Sequence, residues 1–220
     1  MGLYFLRHMM FVIFVFFSAG YSAKGDARPV SYPDGWTVML TDNDARTSLH
    51  MHYTPSIQYS IGYRYEDWKD KEYASHYAQR NQLLKRWNRS HSQANLYLKT
   101  ALGVASLTTD ESNSSVKPSA VISLAGDWET RRYFTSFESR YIQPSVTTDF
   151  FRQSVRVGIA PYIGDYGDLH TWLMLQWDYR PELDATLRRT LQLRFFKGVQ
   201  LLEVGITSTD ELSLNYILRI

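Results

Sequence analysis

LHTWLMLQWDYR (Leu169 to Arg180), LRRTLQLRFFK (Leu187 to Lys197), VQLLEVGITS (Val199 to Ser208) and LSLNYILRI (Leu212 to Ile220) decide the fold, with breaks at PELDA, Gly198 and TDE. Within each run the apolar side chains recur at every second residue: Leu169, Thr171, Leu173, Leu175 and Trp177; Leu191, Leu193 and Phe195; Leu202, Val204 and Ile206; Leu212, Leu214, Tyr216, Leu218 and Ile220. A period of two is the strand period and puts these residues on one face. His170, Gln176, Asp178, Thr190, Gln192, Arg194, Glu203, Gly205, Ser213, Asn215 and Arg219 fall on the other. One face is therefore oily and the other wet.

A soluble sandwich would alternate in the same way, so length decides. Each run has about nine to twelve residues, which is what a tilted strand needs to cross a bilayer core. The breaks are short enough for hairpins in an up-and-down antiparallel meander. The expectation is an all-β transmembrane barrel whose oily face meets lipid.

Composition agrees with this. The 220 residues suffice for one closed sheet. The absence of cysteine excludes a disulfide framework, a thiolate metal site and an acylated lipobox cysteine. A formal charge of +2 gives no sign of a nucleic-acid partner. Aromatic residues make up 15% of the chain, including 16 Tyr and 6 Trp, and transmembrane barrels place Tyr and Trp in interfacial girdles. The mean hydropathy of -0.34 excludes a bundle of membrane helices but not a barrel, in which half of every strand is polar.

Residues 1–27, MGLYFLRHMMFVIFVFFSAGYSAKGDA, have the layout of a secretory signal: Arg7 and His8 close an n-region, Met9 to Phe17 form an apolar core, and small residues follow. The core is too short for a spanning helix. Cleavage is expected at about residues 23–27; Ala27, with Gly25 at minus three, is a better site than Ala23, with Tyr21 there. Residues 28–220 would then form a single barrel domain. The alternative is a retained membrane anchor.

Reading the rest by alternation gives twelve strands: Trp36–Thr41, Arg46–Tyr53, Ile57–Tyr65, Tyr73–Trp87, Gln93–Ala105, Val116–Trp128, Tyr133–Ile142, Phe151–Ala160, Leu169–Tyr179, Leu187–Phe196, Val199–Thr207 and Leu212–Ile220. Thr54-Pro55 is read as the break between the second and third, because proline cannot donate to a ladder. Gln79 to Gln82 leave neither face of residues 73–87 oily, so a short helix is the alternative there. EDWKDKE, TTDESNSS and QPSVTTD are expected as outer loops, and NRSHS and Lys197-Gly198 as inner turns, with PYIGDYGD a long inner turn. An even strand count places both chain ends on the periplasmic side.

With these features the chain resembles Gram-negative outer-membrane β-barrel proteins as a class. The resemblance rests on the alternation, the aromatic edges and the terminal strand LSLNYILRI, although strands of that class usually end on an aromatic residue and this one ends on Ile220, with Tyr216 the nearest ring. It implies a location in the cell outer membrane, contact with outer-membrane lipids, and passage through the barrel-insertion machinery. No cofactor is called for.

Function is carried by the inward face. Its charged side chains are expected to be Arg64, Lys99, Arg140, Arg152, Arg156, Arg188, Arg194 and Arg219 against Asp127, Glu129, Glu138, Asp178 and Glu203. Charges in a narrow interior must pair, so a bracing lattice of salt bridges is one reading. The surplus of arginine supports another, a narrow pore with a slight preference for anions. Inward Tyr97 and Trp172 would help to fill a plugged barrel. His50 and His52, two apart on a strand, share a face and form a weak candidate metal pair that His170, Asp178 or Glu203 would have to complete. Some twelve-stranded barrels of the resembled class are lipid hydrolases with Ser, His and Asn on the outer wall. Here Ser90, His91 and Ser92 sit in a predicted turn, and no G-x-S-x-G elbow occurs. A soluble lipocalin-like binder would need the oily face turned inward.

Overall fold

The computed structural model describes residues 33–109, 115–182 and 184–220, so the expected signal segment and the middle of TTDESNSS lie outside the described residues. Twelve strands follow one another: β1 Gly35–Asp42, β2 Arg46–Ser56, β3 Tyr59–Trp68, β4 Tyr73–Asn88, β5 Gln93–Leu107, β6 Lys117–Glu129, β7 Tyr133–Gln143, β8 Phe150–Ile159, β9 His170–Arg180, β10 Asp184–Lys197, β11 Gln200–Thr207 and β12 Leu212–Arg219. Each pairs antiparallel with its neighbours in sequence, and β1 pairs with β12. The sheet closes, which leaves no unpaired edge to face lipid.

Strand tilt can be followed along the hydrogen-bonded register. Thr37 pairs with His52, His52 with Gly62, Gly62 with Gln79, Gln79 with Ala101, Ala101 with Val121, Val121 with Ile142, and Ile142 with Phe150. The path begins near the start of β1, at the end of the barrel that carries both chain termini, and finishes at the first residue of β8, at the opposite end. Such a climb is the stagger that closing a barrel requires. We call these the terminal end and the loop end.

Alternation settles which face meets lipid. Leu173 and Leu193 are each 46% exposed on the outer wall, and Val204 is 37% exposed. Their neighbours Gln176, Gln192 and Glu203 are buried within the barrel. An oily outer wall around a polar interior is the arrangement of a transmembrane barrel and the inverse of a soluble one. Rings gather toward strand ends. Trp36 packs on Tyr53 at 5.4 Å near the terminal end, and Tyr141 on Phe151 at 4.9 Å near the loop end.

One alternative falls away and two local expectations are corrected. Residues 73–88 form the strand β4 and no helix; their inward face is Tyr73, Ser75, Tyr77 and Gln79, all buried, and their outward face is small or polar. A register shift between Leu83 and Lys85 accommodates the run's irregular end. β2 continues through Thr54 and Pro55 to Ser56, with the irregularity confined to a register shift, and the turn lies at residues 57–58. β3 accordingly begins at Tyr59 and continues through Glu66 and Asp67 to Trp68, so the first three residues of the expected EDWKDKE loop are strand.

Turn chemistry fits the short links. Gly198 adopts a φ of 59° in the hairpin between β10 and β11, a conformation that costs glycine little. Inside the wall, a Cβ on Gly103 would lie 1.8 Å from the carbonyl oxygen of His76, so only glycine permits the close approach of β4 and β5 there.

Candidate functional site

The inward face of the barrel is the candidate site. A cavity of about 430 Å³ occupies its middle. Of the charged residues expected to face inward, Arg64, Lys99, Asp127, Glu138, Arg152, Arg156, Arg194, Glu203 and Arg219 line this cavity. Arg140 is buried beside it, Asp178 pairs with Arg152, Glu129 lies at the terminal mouth, and Arg188 lies toward the loop end.

Three tiers of ion pairs are stacked along the axis. The first, toward the loop end, is centred on Glu66, which is 0% exposed. Arg140 of β7 grips it with two bonds, Nη1 to Oε1 at 2.7 Å and Nη2 to Oε2 at 2.8 Å. Arg46 donates to the same Oε1 at 2.7 Å, and Arg64 stands 3.7 Å away. A buried carboxylate is tolerable only with this degree of compensation.

The second tier surrounds Glu203 on β11. Arg156 and Arg194 donate to it at 2.9 and 2.7 Å, and the Asn215 amide at 2.8 Å. Elsewhere on the inward face Arg152 pairs with Asp178 toward the loop end, Lys99 with Glu138 at 2.8 Å, and Asn95 donates to Asp127 at 2.7 Å toward the terminal end.

The third tier crosses the loop-end mouth. Arg180 pairs with Asp70 of the β3–β4 loop, and Arg188 with Asp44 of the β1–β2 loop. Lys71 donates to the Thr148 carbonyl at 3.1 Å and lies 4.4 Å over the Phe150 ring, where partial burial lowers its pKa. Beneath this mouth, Trp68, Tyr73, Tyr77, Ile142 and Phe150 form a packed apolar cluster between β3 and β8. Tyr77 shares a hydrogen bond of 2.8 Å with Ser119, which satisfies its hydroxyl. The loop end is thus lined by apolar packing on one side and by ion pairs on the other.

The terminal end is roomier. A cavity of about 660 Å³ is bounded by the β4–β5 turn and residues 163–166, and it shares Arg194 and Leu201 with the middle cavity. Trp172 projects into it and Tyr97 into the middle one, as their inward alternation required.

His50 and His52 lie side by side on the inward face, ring centroids 4.7 Å apart. His170, Asp178 and Glu203 do not join them: among the described residues no three His, Cys, Asp or Glu side chains converge on a metal position. Both ring nitrogens of His50 are buried without a hydrogen-bond partner, and the neighbouring charges, Arg64 and Lys99, are positive. Such surroundings repel a cation. Ser90, His91 and Ser92 lie in the β4–β5 turn at the terminal mouth, away from the lipid-facing wall. The outward His76 bonds to the Tyr63 hydroxyl at 2.7 Å rather than to a serine.

Glu66, Arg46 and Arg180 escaped the sequence reading. Glu66 falls in the expected loop EDWKDKE, although its spacing of two from Arg64 is the signal that places it inward.

No protein-family model matches the chain, and no curated protein matches it. Among solved structures it is similar to a KdgM porin, with a TM-score of 0.50 and 8% identity over 84% of this chain and 97% of that one. A KdgM porin in complex with disordered oligogalacturonate matches at a TM-score of 0.49 and 9% identity, over 84% of this chain and 97% of that one. Acinetobacter baumannii OccAB1 matches at 0.42 and 9% identity, over 80% of this chain and 57% of that one. The first of these likenesses shows a shared barrel fold.

Proposed function

We propose that the chain is a narrow pore of a Gram-negative outer membrane, slightly selective for anions, and not an enzyme. Its terminal end faces the periplasm and its loop end the exterior. One observation carries the reading: Arg46, Arg64, Lys99, Arg152, Arg156, Arg194 and Arg219 line the middle cavity, and they outnumber Asp127, Glu138 and Glu203 even when their partners Glu66 and Asp178 are added. Basic rings in a confined, low-dielectric lumen concentrate anions and repel cations. Pairing tempers the field without cancelling it, since Glu203 is shared by two arginines. The fold held in common with a porin supports the same reading.

A second reading, a plugged barrel whose role is structural, draws on the packed cluster of Trp68, Tyr73, Tyr77, Ile142 and Phe150. Planar bilayers separate the two. The pore reading requires discrete conductance and a reversal potential displaced toward that of the anion in a salt gradient. A displacement toward the cation contradicts it, and silence under all voltages selects the plugged barrel.

A further inference from the structure

The lipid-facing wall is not uniform. Between β1 and β7 it sinks into an apolar groove of about 1280 Å³ with walls that include Trp36, Met51, Ile61 and Ile122. Small outward residues make the floor: Ala78 and Ala120, with Thr100 beside them. Leu102, 71% exposed, stands between the two alanines as a ridge. The groove follows the strand stagger, starting beside Trp36 and Tyr53 near the terminal end and climbing to Tyr141 and Gln143 near the loop end.

One charge stands in this groove. Arg80 points outward from the middle of β4, paired in register with Ile61 and Thr100. Its Nη2 donates to Gln82 at 2.8 Å, and its guanidinium lies 5.2 Å from the Tyr59 ring, next to the terminal-end turn. No carboxylate among the described residues forms an ion pair with it. The other outward charges on described strands, Asp42, Asp67, Lys85, Arg189 and Lys197, lie near strand ends or beside a turn. A guanidinium on a lipid-facing wall is costly unless an anion meets it or the side chain reaches the interface.

We propose that this groove holds one anionic phospholipid, its phosphate on Arg80 and an acyl chain laid over Ala78, Thr100 and Ala120. The charge and the shape point to the same amphiphile: a cation on the terminal side, where a headgroup enters, and an apolar trough leading away from it. A second copy of the chain fits less well, because the outward strand carboxylates Asp42 and Asp67 lie at the loop end and cannot reach Arg80 at its depth in a symmetric contact, and Asp34 at the terminal end already accepts a bond from the Tyr53 hydroxyl at 2.9 Å. The source of the lipid, the periplasmic leaflet, rests on the orientation proposed above.

The test is native mass spectrometry of the full refolded chain in neutral detergent, titrated separately with phosphatidylglycerol, phosphatidylcholine and lipopolysaccharide. The wild-type protein is expected to retain one phosphatidylglycerol about tenfold more tightly than phosphatidylcholine. Arg80→Gln should abolish that preference, Arg80→Lys should keep most of it, and Ala120→Leu should weaken both phospholipids by filling the floor. Heat-modifiable gel migration reports whether each variant is folded. Loss of the dimer in Ala120→Leu, from a wild-type protein that is dimeric and lipid-free, would overturn the proposal in favour of a second copy. Preferred retention of lipopolysaccharide would overturn the leaflet assignment, and equal retention by wild type and Arg80→Gln would overturn the site. Conductance is measured separately, so failure here leaves the pore reading standing.

Discussion

Glu66 on β3 and Arg140 on β7 meet across the barrel interior through two parallel hydrogen bonds of 2.7 and 2.8 Å, although 74 residues separate them in sequence. The pair ties together strands that share no ladder, so it fixes the shape of the lumen as well as its charge. Removing Glu66 leaves the buried Arg140 and Arg46 without the carboxylate that compensates them both. Glu66→Ala is expected to destabilise the folded barrel by about 3–5 kcal/mol, read as a lower temperature for loss of the compact gel band. Glu66→Ala combined with Arg140→Met should recover part of that loss. A single variant as stable as wild type would show that the pair braces nothing.

The mouth pairs should behave differently. Arg180–Asp70 and Arg188–Asp44 fasten loops to the far wall, and they lie nearer solvent than Glu66. Arg180 is itself buried, but Asp70, Arg188 and Asp44 are partly open to solvent, so these pairs are screened more than the Glu66 cluster and weaken with salt. Asp70→Asn with Asp44→Asn should therefore lower the melting temperature less than Glu66→Ala does while increasing the frequency of channel opening in planar bilayers. Unchanged gating in the double variant would remove the latch from the account.

Selectivity should follow the second tier. Arg156→Gln and Arg194→Gln each leave Glu203 with one guanidinium, and the two together leave it with none. The double variant is expected to move the reversal potential toward the cation, and Glu203→Gln further toward the anion. Opposite movements would mean that this tier does not set the field of the pore.

Close packing of the wall makes a fourth expectation. Because a Cβ at residue 103 would meet the His76 carbonyl at 1.8 Å, Gly103→Val should cost about 1–3 kcal/mol and lower the refolded yield. Gly167→Ala meets nothing within 4 Å, so its cost should be confined to the backbone at a φ of 90°. Equal losses in the two variants would argue against the close approach.

How much of this was legible in the sequence follows from what each residue depends on. Leu191, Leu193, Gln192 and Arg194 read correctly because a strand with one face in lipid and one in water must alternate, whatever its partners. β4 reads as a strand too, but with a helix as its alternative, because its outward residues Ala74, His76, Ala78 and Arg80 are small or polar and the inward Tyr73 and Tyr77 carry the sorting of faces instead. Pro55 read as a break because proline cannot donate, yet one register shift absorbed it within β2. Pairing was the least accessible part. Which carboxylate Arg140 meets depends on the closure of the barrel and on the stagger of β3 against β7, and neither is a property of a local window. The apolar cluster below the loop-end mouth was hidden for the same reason: Trp68 and Phe150 touch only after closure, at 5.1 Å edge to face.

The chain contains no cysteine, so single-cysteine variants can be made without a background. Nitroxide labels placed one at a time from residue 189 to residue 195 of β10, with the protein in lipid bilayers, test the central claim most directly. Labels at 191, 193 and 195 should be relaxed by oxygen, which concentrates in the bilayer, and labels at 190, 192 and 194 by a water-soluble nickel chelate or by neither agent. A flat profile, or one with the phases exchanged, would contradict a barrel with lipid outside and a polar lumen within.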